Sequence, residues 1–200
     1  GKRWLERLVG LVQFGRHRAV GRLPQALLRR RNHLMAKLRL LHTFKSSPES
    51  FWEMFWDPAF DDLVNASASV VSTVVSDETD ADGTRQQVVT SKPNRTLPPA
   101  VARVIGVQEI SYRTTLTYYP KKGFVAWQVQ PSVFADKVTA QGEIVVRAHA
   151  LGCERVVNGD ISVKVRFVGG VIEKAILEDV TRSYNRAAEV ATRWFEGKRV

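Results

Sequence analysis

Two hundred residues suffice for one domain with a full core and are marginal for two, and the 44% hydrophobic and 25% charged fractions are ordinary globular values. The formal charge of +10 is unevenly spread: residues 1–34 hold nine Lys or Arg against one acid, Glu6, for a net +8, while residues 35–200 carry only +2. That split excludes a body that grips phosphates through a basic surplus. The lone cysteine, Cys153, excludes an internal disulfide and a cysteine zinc site.

In the basic segment, Trp4, Leu5, Leu8, Leu11 and Val12 fall at helical spacing, with Lys2, Arg3, Glu6 and Arg7 on the other face. Pro24 suits the first turn of a second helix through Leu27, Leu28 and Leu34, beside the block Arg29, Arg30 and Arg31. An Arg-rich, acid-poor amphipathic stretch of this kind fits a mitochondrial transit segment, an anionic membrane surface, or an acidic protein or RNA partner. Arg3, Arg7, Arg16, Arg18, Arg22, Arg29, Arg30 and Arg31 are its candidate partner-binding residues. The organisation expected is a basic helical arm, 1–34, in front of a folded body, 35–200.

The body opens with a strand at 36–44, where Leu38, Leu40, His42 and Phe44 share one face. Ser46, three residues before Glu49, predicts a capping box for a helix with Pro48 in its first turn. A second short helix starts at Asp57-Pro58. Strands follow at 69–77 and 84–92, across a turn at 77–83. Residues 93–106 read as a loop with a short helix. The next strand, 109–119, places Ile110, Tyr112, Leu116 and Tyr118 on one face, and PKKG turns it into 124–130 with Val125, Trp127 and Val129 alternating. Further strands are expected at 142–151 and 160–167, with Cys153 between them. Ile161, Val163, Val165 and Phe167 face inward in the last. About seven such strands, one face dry and one wet, predict an antiparallel sheet covered on one side. The cover is a helix over 171–196, with Ile172, Ile176, Val180, Tyr184, Ala187, Ala191 and Trp194 along one stripe. Its small residues near the end allow close approach to the strands.

This order of elements, with HTFKSSPESFWEMFWDPAF at 42–60, LPPAVARVIG at 97–106 and NGDISVKVRFVGGVIEKAI at 158–176, resembles the START-like (SRPBCC) superfamily. The likeness is to a bacterial branch of unassigned function, with a weaker similarity to PRELI-like phospholipid carriers. The resemblance implies an α+β helix-grip fold: a curved antiparallel sheet under a long C-terminal helix, with a cavity between them for a lipid or other apolar ligand. Tyr112, Leu116, Tyr118, Trp127, Val146, Val163, Ile176, Val180 and Tyr184 are the candidate lining residues, although any of the aromatics could equally be core. An accessory subunit of a large assembly, such as a mitochondrial membrane complex, held through the arm, is the alternative. RNA binding by the arm is a further one.

Signals for catalysis are few. His17, His33, His42 and His149 show no metal-ligand spacing, and neither a G-x-S-x-G elbow nor a phosphate-binding glycine loop is present. Cys153 reads as a buried thiol and His42 as a satisfied core histidine. The expectation is a non-enzyme with no cofactor, no metal and no transmembrane segment, located inside the cell in the mitochondrial matrix or the cytoplasm.

Overall fold

A computed structural model describes residues 36–94, 107–164 and 169–197. All but 107–109 of these belong to one unit, Met35–Asn94 with Ile110–Val200. Strand β1 (Ala36–Phe44) leads into helices α1 (Pro48–Phe55) and α2 (Pro58–Ala68). Six further strands follow: β2 (Val70–Thr79), β3 (Arg85–Pro93), β4 (Tyr112–Tyr119), β5 (Phe124–Pro131), β6 (Val138–His149) and β7 (Gly152–Val163). Helix α3 (Gly169–Phe195) closes the body. The strands form one antiparallel open sheet in the order β1-β7-β6-β5-β4-β3-β2, the α+β helix-grip arrangement expected from the sequence.

Local chemistry explains the element boundaries. Pro48 is the first helical residue of α1, so the residue before it must be extended and must be the cap. The N-cap is therefore Ser47, whose hydroxyl accepts from the Ser50 N–H at 3.2 Å, and not Ser46 as the capping-box reading had it. Helix α2 repeats the device, with Asp57 accepting from the Ala59 N–H at 2.8 Å ahead of Pro58. At its other end Ser69 turns left-handed at φ 53°.

Strand β7 begins at Gly152, eight residues before the last strand expected from alternation, so Cys153 lies within a strand rather than between two. Alternation fails over this stretch because the inward positions 155 and 159 are an arginine and a glycine. Val165 and Phe167 lie outside the described residues, as does the side chain of Ile172. The Gly169-Gly170 pair opens α3 instead of turning into it.

Register fixes the inner face. Opposite Leu38, Leu40, His42 and Phe44 of β1 stand Gly159, Val157, Arg155 and Cys153 of β7, and opposite those stand Gly142, Ile144, Val146 and Ala148 of β6. Gly142 and Gly159 are neighbours, and the Trp127 indole lies over both. A Cβ at either position would come within 2.7 Å and 2.4 Å, respectively, of Trp127 Cζ2.

Helix α3, about 40 Å long at the standard rise, packs on β1 and β7 and against α2. Ala188, Val190 and Ala191 are buried in its C-terminal half, where small residues permit close approach. Ile176, Leu177 and Val180 in the N-terminal half, and Tyr184 just past the middle, are only partly buried. Phe60 of α2 meets Trp194 of α3 edge-on at 5.9 Å, and Arg186 donates to the Ser67 carbonyl at 3.0 Å, which pins the two helices together.

Candidate functional site

The inner face is apolar over most of β1, β5, β6 and β7, and its polar exceptions form two clusters. The first is built around Arg155. Parity in β7 aims this residue at α3, and it is 4% exposed. Its Nη2 donates to the Tyr184 main-chain carbonyl and to His42 Nδ1, both at 3.1 Å. A guanidinium only donates, so His42 Nδ1 must accept and the ring proton of the neutral imidazole sits on Nε2. That nitrogen lies 2.9 Å from Asn185 Oδ1, which completes a relay from strand to helix. Both ring nitrogens of His42 are thus satisfied, as the sequence reading expected. Burial, reinforced by the nearby guanidinium, holds the imidazole below its usual pKa against the upward pull of Asn185.

The rings of Phe44 and Tyr184 each lie 5.5 Å from the Arg155 guanidinium. Desolvation pulls that cation down to about 10 and pushes the Tyr184 phenol up to about 12, so near neutrality Arg155 is charged and Tyr184 is not. The Arg155 Nε–H finds no acceptor among the described residues.

The second cluster sits on β2 and β3. Arg85 forks onto both carboxylate oxygens of Asp77 at 2.7 and 2.6 Å, and the Gln87 amide donates to the same carboxylate at 2.9 Å. The Arg85 guanidinium also lies 4.3 Å from the Trp56 ring. Here the charges answer each other, and the Asp77 carboxyl is accordingly held below the usual range by Arg85.

Beside Trp56 opens a cleft of about 500 Å³ between α1 and the β4–β5 hairpin. Trp52, Trp56, Tyr118 and Val146 supply its apolar surface, and Glu49 and Glu53 also line it. Trp52 and Trp56 lie 4.9 and 5.8 Å from Tyr118, with the Trp56 indole N–H buried and without an acceptor among the described residues. Val146 is the β6 register partner of Arg155, so the cleft reaches the inner face one strand away from the first cluster.

Among the residues expected to line a cavity, Tyr118 and Val146 border this cleft. Trp127 is buried over the glycine pair, its indole N–H likewise lacking an acceptor among the described residues. Leu116, Ile176, Val180 and Tyr184 are partly buried against the core, and Val163 is buried at the end of β7, where its N–H donates to the Glu173 carboxylate at 2.7 Å. Tyr112 stands apart at the far end of β4, 36% exposed. The eight arginines of the arm lie outside the described residues.

Sequence reasoning missed Trp52, Trp56, Arg155 and Asn185. The two tryptophans are four apart in a segment read as helix, which places them on one face and was signal enough. Arg155 could be found only once β7 was known to start at Gly152. Cys153 is buried, with its thiol pushed up by burial and by Glu49. Among the described residues no group of three or more His, Cys, Asp or Glu is placed to hold a metal, and no helix is long and apolar enough to cross a membrane.

Comparison with known proteins agrees with this geometry. A family described as "Protein of unknown function (DUF2505)" matches residues 39–195. No curated protein shows a significant match. Among solved structures, a START superfamily protein from Mycobacterium smegmatis is 14% identical, with a TM-score of 0.53, over 80% of this chain and 98% of its own. The ginseng major latex-like protein of Panax ginseng is 14% identical at a TM-score of 0.50, over 79% and 97% of the two chains. Norcoclaurine synthase from Thalictrum flavum is 14% identical at 0.50, over 88% and 96%. At such identities the likeness is one of fold, and that fold is START-like.

Proposed function

The chain belongs to the DUF2505 family, and on that footing we propose that it is a binding module for an amphipathic apolar ligand, held between the sheet and α3 and entered through the cleft beneath α1. One observation carries this reading. The apolar interior contains buried hydrogen-bond donors, Trp56 Nε1, Trp127 Nε1 and Arg155 Nε, with no acceptor among the described residues. Buried donors are normally paired, because leaving one unpaired costs about 1–3 kcal/mol. A ligand with an apolar body and an oxygen-bearing head supplies what these donors lack. The START-like fold is shared with an enzyme, norcoclaurine synthase, so the fold itself is neutral on catalysis. Binding is the better reading because the candidate nucleophile, Cys153, is buried as a thiol and His42 is tied into a structural relay.

The test is titration of the purified protein with a dibrominated stearate, whose bromines quench tryptophan on contact. Saturable quenching is expected, and it should shrink when Trp52 and Trp56 are replaced by Phe. A linear, unsaturated response in the wild type would end the proposal.

A further inference from the structure

Arg155 differs from the two body arginines that, among the described residues, fork onto a carboxylate. Arg85 and Arg147 each direct Nε and Nη2 at a single carboxylate, that of Asp77 and that of Glu154. Arg155 is more deeply buried than either, yet among the described residues its Nη2 meets only neutral acceptors and its Nε meets none. The nearest acid in sequence, Glu154, faces the opposite side of β7 by strand parity and is taken by Arg147. His42 cannot compensate, since it presents a lone pair and carries no charge. A buried cation without a counter-charge is among the costlier arrangements a protein interior can hold. Here it is held in place by a built support: His42 and the Tyr184 carbonyl fix one edge, Phe44 and Tyr184 flank it, and Asn185 fixes His42. The support orients the guanidinium and leaves Nε–H without an acceptor among the described residues.

We propose that Arg155 is the anchor for the anionic head of the bound amphiphile, an oxyanion that places one oxygen on Nε and neutralises the guanidinium. This rests on the ligand-binding reading above and adds to it a ligand class and a residue. Register places the cleft beside the anchor. Val146, paired with Arg155 across the β6–β7 ladder, borders the cleft lined by Trp52, Trp56 and Tyr118. A chain entering there meets the charge one strand further in. One positive charge with one N–H unpaired among the described residues fits a monoanionic carboxylate. A phosphate monoester offers the same kind of oxygen.

The experiment compares three probes of equal tail length, dodecanoate, dodecyl phosphate and dodecanol, each titrated below its micelle concentration into the full chain. An anionic probe should bind about ten- to a hundredfold tighter than the alcohol, the range expected of a charge-assisted bond in a dry site. Preference for dodecanoate identifies a carboxylate head, and preference for dodecyl phosphate identifies a phosphate. Arg155→Met should remove the anion preference while leaving dodecanol affinity within about threefold, and Arg155→Lys should retain part of it. Equal binding of all three probes by the wild type would overturn the anchor and leave the ligand-binding reading standing, with Arg155 a structural residue. Binding of none would sink both. Because the wild-type comparison alone decides between these outcomes, a variant that fails to fold does not protect the proposal.

Discussion

Gly159→Ala tests how the inner face is built. The new Cβ would stand 2.4 Å from Trp127 Cζ2 and 2.8 Å from Cη2, whereas carbon atoms rest at about 3.5–4.0 Å. The indole must therefore shift by about 1 Å, and it has little room to do so because it also lies across Gly142. Backbone strain does not enter, since Gly159 is not in the left-handed region. Overpacking of this kind costs about 1–3 kcal/mol. With a urea slope of about 2 kcal/mol/M, a loss of about 2 kcal/mol lowers the unfolding midpoint by about 1 M. Trp127→Leu alone should cost about 3 kcal/mol through the lost packing, but it vacates the space that the alanine methyl needs. The double variant should then be more stable than the two separate losses imply by at least about 1 kcal/mol. Urea unfolding followed by far-UV circular dichroism measures all four corners of the cycle. Additivity within about 0.5 kcal/mol would refute the stacked arrangement, as would a Gly159→Ala protein no less stable than wild type.

Two other predictions concern local chemistry. Ser47→Ala should lose about 1 kcal/mol of unfolding free energy while Ser46→Ala stays within a few tenths, because Ser47 is the residue whose hydroxyl caps α1; equal losses would return the cap to Ser46. Burial depresses His42, so below its ordinary value near 6.5 the unfolded chain takes up a proton that the folded chain refuses. The His42 share of the stability should consequently fall as the pH drops from about 6.5 towards 5, against the opposite contribution of Asp61, whose carboxyl is raised to about 6 by burial. The difference between wild type and His42→Gln, which cannot charge, isolates that share in parallel urea titrations. An unchanged slope would mean that His42 is not held neutral.

The fold was legible where one face of an element is uniformly apolar. Leu38, Phe44, Val125, Trp127 and Ile144 announced their strands by period two, and the stripe Ile176, Val180, Tyr184, Ala187, Ala191 and Trp194 announced α3 by its helical period. The cap of α1 lies one residue beyond the capping-box pattern because proline constrains the residue before it, Ser47, to an extended conformation. The start of β7 was missed because a strand whose inward residues run Cys153, Arg155, Val157, Gly159, Ile161 does not alternate in hydrophobicity, although it alternates in direction. The glycine is explained only by Trp127 on another strand, a contact no local window contains.

The arginine, by contrast, has no such packing reason, and this separates the two exceptions. Gly159 breaks the pattern and is repaid by the buried indole, so the departure is structural. Arg155 breaks the same pattern and leaves a cationic donor unmet among the described residues. Positions where local rules fail without compensation are where function concentrates. If an oxyanion completes Arg155, binding and stability become one quantity: a ligand at a hundred times its dissociation constant adds about 2.7 kcal/mol to folding. Arg155→Met should then separate the two, since it removes a buried charge that lacks a counter-charge among the described residues and loses in return the hydrogen bonds to His42 Nδ1 and the Tyr184 carbonyl. A free protein that folds at least as well without Arg155, and no longer distinguishes dodecanoate from dodecanol, is the signature of a residue kept for its ligand. A free protein that unfolds without it, while the wild type shows no preference for an anion, is the signature of a strut between β7 and α3.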